Sequence, residues 1–183
     1  MTKWSVGHSP AGLTVNNAKN VLVVIQGECR FQEFTTHGAL LQTIQLQSGI
    51  TRPIQVVELS NGQFMISHTG TNQRVGLLDV KGAVVRSYGG TPGSDMTKMN
   101  YPGGLAVDKN ENILVADEHN NRLLVLDRSL TIAHEMSVAF DGGLKGPYSL
   151  WYDKSRGRLY IGELKGKRVI IIDNLKDFTA SPV

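Results

Sequence analysis

Short apolar runs, each closed by a polar reversal, recur along the chain, and the clearest set lies at residues 101–127. There Leu105-Ala106-Val107 ends at Asp108, Lys109-Asn110-Glu111-Asn112 reverses the chain, and Ile113-Leu114-Val115-Ala116 follows. Residues 117–121 turn again, and Leu123-Leu124-Val125-Leu126 closes at Asp127. The runs are too short for helices and are bounded by turn formers, so the pattern predicts consecutive antiparallel strands. Pro102 and the two glycines after it read as the turn leading into the first strand.

The same pattern repeats. Pro10, Pro53, Pro102 and Pro147 stand 43, 49 and 45 residues apart, a period that signals a repeat architecture. A second landmark keeps step, because Arg30, Arg74, Arg122 and Arg168 each fall five residues before a strand-closing Thr35, Asp79, Asp127 or Asp173. The repeats therefore run over about residues 9–46, 52–90, 101–138 and 146–183, and the chain reads as one domain. Asn61-Gly62, His37-Gly38 and Lys81-Gly82 place glycine where a tight hairpin needs positive φ. The fourth strand of repeat three is expected around residues 132–138, and residues 176–183 read as a poor strand. Residues 3–7 resemble residues 85–89, which predicts that they form an outer strand closing the last sheet of a ring. Residues 89–100 form the longest strand-free stretch, read as decoration or as a binding element.

Pro-x-x-Leu-x-Val-Asp, Leu-Val-Ala-Asp-x-x-Asn-x-Arg and a closing aliphatic-Asp in repeat three resemble the NHL repeat. Repeat four keeps this frame with Glu163 at the position of Asp117 and Gly166 at that of Asn120, and repeat two has His68 at the position of Asp117. Repeat one carries Ile25 or Gln26 there. The resemblance implies an all-β fold, a β-propeller of four NHL-like four-stranded blades, either a small closed ring or part of a larger propeller. It also implies a link with tripartite-motif ubiquitin ligases, whose C-terminal propeller recognises RNA or protein. RING and B-box cysteines are missing from this sequence, which holds Cys29 alone.

Composition narrows the class only modestly. The 183 residues, 40% apolar and 19% charged, describe an ordinary globular chain, and the lone cysteine permits no intrachain disulfide. No signal-peptide core is seen, and residues 21–25 are too few to span a bilayer, so a soluble cytoplasmic protein without membrane contact is expected. The net charge of +3 is compatible with an anionic partner, and basic residues thicken toward the end.

Asp117, Asn120 and Arg122, with Asp79 and Asp173, recur by repeat rather than once, which favours turn capping and packing over catalysis. The five histidines lack close metal-ligand spacing, and no nucleophile elbow or phosphate loop is present, so no catalytic residue, metal ligand or cofactor is assigned. The candidate ligand-binding face combines loops before the first strands with loops between second and third strands: Arg52, Asn72, Lys98, Tyr101, His119, Asn120, Tyr148, Lys165 and Lys167, with Lys145 beside them. Basic groups between tyrosines suit single-stranded RNA, and exposed loop aromatics suit a peptide. The expected function is a non-catalytic recognition module for a protein or peptide partner or for RNA, in the manner of a ligase's substrate-recognition part. A metal-dependent hydrolase or lyase of the propeller type is the alternative, and an incomplete ring would pair with a second copy.

Overall fold

Successive strand residues point to opposite sides of a sheet, so the continuous apolar runs of blades two and three suit sheets covered on both faces. The structure, a computed structural model, describes residues 3–131, 133–136, 142–173 and 175. Sheet one consists of β1 (Pro10–Val15), β2 (Val21–Ile25), β3 (Arg30–Phe34) and β4 (Leu40–Gln45). Sheet two consists of β5 (Pro53–Glu58), β6 (Phe64–Thr69), β7 (Gln73–Leu78) and β8 (Val84–Gly90). Sheet three consists of β9 (Pro102–Val107), β10 (Ile113–Asp117), β11 (Arg122–Leu126) and β12 (Ala133–Glu135). Sheet four has β13 (Pro147–Asp153), β14 (Arg158–Glu163) and β15 (Arg168–Ile172), and the stretch 176–183 lies outside the described residues. Every pairing is antiparallel between sequence neighbours, and the only helix among the described residues is two single 3-10 turns at 26–28 and 118–120.

These sheets are the four blades of a β-propeller. Leu22, Val24 and Phe31 of blade one meet Phe64, Ile66 and Leu78 of blade two. Met65 and Leu77 meet Ile113, Val115 and Leu124 of blade three. Leu114, Ala116 and Leu123 meet Leu159, Ile161 and Tyr152 of blade four. Among the described residues no hydrophobic cluster joins blade four to blade one. The outward face of blade four leaves Trp151, Val169 and Ile171 exposed, and a cavity of about 400 Å³ on the axis is lined by all four inner strands.

Two sequence expectations are revised. Residues 3–7 carry no strand: Trp4 and Val6 instead cover Val23, Ile25 and Phe34 on the free face of blade one, with the Trp4 and Phe34 rings 6.2 Å apart. Trp4 and Val6 are apolar enough to be drawn to that uncovered face, where no neighbouring blade competes. Pro102-Gly103-Gly104 is the start of β9 itself, not a turn before it. The strand tolerates a proline at its first position, where no ladder donor is needed. The glycines then let inner strands approach: a Cβ on Gly104 would lie 2.6 Å from the carbonyl oxygen of Tyr148, and one on Gly12 would collide with that of Ile54.

All four inner strands share a bulge just after the proline. The residue before each proline is left-handed, with φ of 58° at Ser9, 49° at Arg52, 63° at Tyr101 and 61° at Gly146. This conformation is unfavourable for three of the four, at about 1 kcal/mol or more apiece. A recurring bond holds it: the carbonyls of Ser9, Arg52, Tyr101 and Gly146 accept the amides of Gln26, Thr69, Glu118 and Leu164 at 3.0, 3.1, 3.2 and 2.8 Å. The loop before each inner strand is thus tied to the turn between the second and third strands. That pairing builds the loop face.

Candidate functional site

In blades three and four an acid–arginine pair acts on the loop preceding the blade. Asp117, fully buried, accepts the Arg122 Nε and the Asn120 Nδ2, each at 2.8 Å, and the amide of Asn100 at 2.7 Å. The Arg122 guanidinium also donates to the carbonyls of Ser94, Asp95 and Lys98 at 2.8, 3.2 and 2.9 Å. Residues 93–100 are therefore a strapped segment. Blade four repeats the device with Glu163, which accepts Arg168 Nε and the Lys145 amide, both at 2.6 Å. Burial alone would raise the Glu163 pKa, but those hydrogen bonds hold it below the ordinary carboxylate range. The strand-closing residues cap turns: Asp79 accepts the amides of Lys81 and Ala83, and Thr35 those of His37 and Ala39.

Blade two departs from this device. His68 stands where the acid stands elsewhere, and burial followed by the nearby Arg74 charge pushes its pKa down to about 4. It is therefore a neutral imidazole at pH 7. Among the described residues, no three His, Cys, Asp or Glu side chains gather as a metal-ligand group.

On the loop face the junction of blades three and four is the most developed. The Tyr101 and His119 rings stack with centroids 5.0 Å apart and planes at 25°. Tyr148, from the next blade, is half-buried beside them, and its hydroxyl pKa is raised by burial and then by the neighbouring Tyr101 and Glu118. Its ring lies over Gly103, where a Cβ would come within 3.4 Å. Glu118 lies at the base, only 4% exposed. Its Oε1 is 3.7 Å from His119 Nε2 and 3.6 Å from Lys165 Nζ, both beyond hydrogen-bonding reach. Asn121 supports the junction by accepting the Gly146 amide at 2.8 Å.

The structure thus brings Tyr101, His119, Tyr148 and Lys165 together. Lys98 and Asn120 belong to the strap instead: Lys98 pairs with Asp95 at 2.7 Å and Asn120 donates to Gly93 O at 2.8 Å. Arg52 and Asn72 lie at the same end on blade two, and the next turn residue, Gln73, accepts the Tyr101 amide at 3.0 Å. Lys167 is exposed in the blade-four turn with φ of 51°. Glu118 was not among the expected site residues, yet its repeat position contains a clue. The corresponding residues are Gln26, Thr69 and Leu164, so Glu118 is the one acid in the series.

Residues 99–126 match the family profile of the NHL repeat. The third blade is an NHL repeat. The propeller as a whole shares its fold with larger solved proteins: a Bacteroides caccae protein of unknown function at 18% identity and TM-score 0.72, covering 90% of this chain and 63% of that one. Virginiamycin B lyase of Staphylococcus aureus matches at 18% identity and TM-score 0.66, covering 90% of this chain and 52% of the lyase. The nidogen/laminin complex provides a match at 17% identity and TM-score 0.67, covering 90% and 59%. The chain spans between half and two thirds of the length of these three structures. No curated protein matches the sequence. Among the described residues, no helix is long and apolar enough to cross a membrane.

Proposed function

We propose that the protein is a recognition module that binds a segment of a partner protein on its loop face, at the junction of blades three and four. The observation that carries this reading is the grouping of Tyr101, His119 and Tyr148 around the buried carboxylate of Glu118. Aromatic side chains on a rigid loop face are frequent anchors of peptide recognition. A negative charge at the base opposes a phosphate and so favours peptide over RNA. The match to a nidogen/laminin complex is consistent with this use. A role as the recognition part of a larger ligase in the cytoplasm would follow the same surface logic.

The test is selection from a displayed peptide library against the whole chain, run beside selection from a single-stranded RNA pool. The selected peptides should bind at least tenfold more weakly to Tyr101→Ala, with little salt dependence. Enrichment of RNA alone, with affinity falling steeply as salt rises, would replace the peptide reading by an RNA one.

A further inference from the structure

We infer that Glu118 is the receptor for an arginine guanidinium presented by the bound segment, an inference that rests on the loop face being a peptide-recognition surface. Three observations converge on it. The first is the state of the carboxylate. Glu118 is more than nine-tenths buried, and its Oε1 is held by Lys165 Nζ at 3.6 Å and His119 Nε2 at 3.7 Å, both longer than a hydrogen bond. These long ion pairs leave the carboxylate without a close hydrogen bond, and a guanidinium that donates two parallel N–H bonds is the group best shaped to replace them.

The second is what surrounds it. Tyr101, His119 and Tyr148 supply aromatic surface at the same junction, on which a planar cation stacks as well as pairs. The third is the state of the nearby cation. Lys165 Nζ stands 3.6 Å from Oε1 with its side chain 53% exposed, and His119 stands 3.7 Å away with its side chain 44% exposed. The lysine has room to swing aside, so an incoming guanidinium displaces a loosely held cation rather than a formed bidentate pair. The backbone beneath is fixed, since the Glu118 amide donates to Tyr101 O and the Gly146 amide to Asn121 Oδ1. The receptor is therefore rigid at its base and adjustable at its rim.

The equivalent side chain in blade one shows the direction of reach. Gln26 Nε2 donates to the carbonyl of Pro53 in the next blade at 3.2 Å. Glu118, in the same repeat position, likewise reaches toward its successor blade, but as an acceptor it has no use for that carbonyl. Its acidity is what converts a blade-to-blade contact into a cation site.

The probe is the blocked tripeptide acetyl-Gly-Arg-Gly-amide against its citrulline counterpart, which keeps the shape and loses the charge. Binding to the whole chain is followed through the amide signals of Glu118, His119 and Gly146. The arginine peptide is expected to bind at least tenfold more tightly than the citrulline peptide, and Glu118→Gln to abolish that difference. Lys165→Ala, which leaves the base intact and removes the competing cation, is expected to tighten arginine binding several-fold. Equal binding of the two peptides, an unchanged preference in a folded Glu118→Gln protein, or unchanged or weaker binding in Lys165→Ala would overturn the inference. Library-selected peptides that need Tyr101 but show no preference for arginine would overturn the arginine receptor and leave the peptide surface standing. Failure to select any peptide on this face would overturn both.

Discussion

Arg122 and Asp117 form a buried pair, Nε to Oδ2 at 2.8 Å, and apart from the Asn120 bond to Asp117 their other hydrogen bonds reach backward to the segment before the blade. The arginine that keeps time along the sequence is therefore a clamp on the preceding loop. Its removal leaves Asp117 charged and buried without its partner. Arg122→Ala is expected to cost about 3–5 kcal/mol, read by denaturant unfolding, with faster hydrogen exchange over residues 93–100. The matching Arg168→Ala, at a pair whose arginine side chain is 38% exposed, should cost less.

The glycines of the inner strands set the spacing between blades. Gly104→Ala would press a methyl against Tyr148 O, Leu150 N and Ser149 Cα, all backbone atoms. A loss of about 2–3 kcal/mol is expected, from the overpacking of a contact that cannot yield. Gly90→Ala meets nothing within 4 Å and should leave the melting temperature nearly unchanged.

The cover on blade one makes a separate claim. Trp4→Ala removes a half-buried ring from Phe34 and uncovers Val23 and Ile25, so stability should fall by about 2–3 kcal/mol. If residues 3–8 served only as a loose tail, the thermal unfolding of Trp4→Ala would match that of the parent.

His68 gives a pH dependence of definite sign. Its pKa is lowered from 6.5 to about 4, so the folded state disfavours the imidazolium. The associated stability is fully present above pH 6.5 and is lost as pH falls toward 4. Between pH 7.5 and 5 the loss from this group is about 2 kcal/mol, a window that precedes most carboxylate protonation. His68→Gln should flatten the unfolding free energy over that window, and an unchanged slope would remove the assignment.

Much of this architecture could be read from spacing. Four prolines and four arginines in step reveal the blades, because each blade repeats the same backbone device at its loop end. The hairpin glycines were equally readable, with φ of 81° at Gly62, 89° at Gly38 and 85° at Gly82. What spacing could not reveal was contact between repeats. Glu118 in isolation is an acid in a polar turn, and its burial depends on Tyr148 and Lys165 arriving from the next blade. Residues 3–7 resembled an outer strand in composition, but the uncovered apolar face of blade one drew Trp4 and Val6 elsewhere.

The recognition reading is tested most directly by mapping the amide signals of the whole chain during titration with a peptide selected against it. The account predicts saturable shifts at Tyr101, Glu118, His119, Gly146 and Lys165, with little change at Leu13, Leu105 and Leu150 on the axial cavity. Shifts confined to the cavity strands or to Val169 and Ile171 on the outer face of blade four would contradict it.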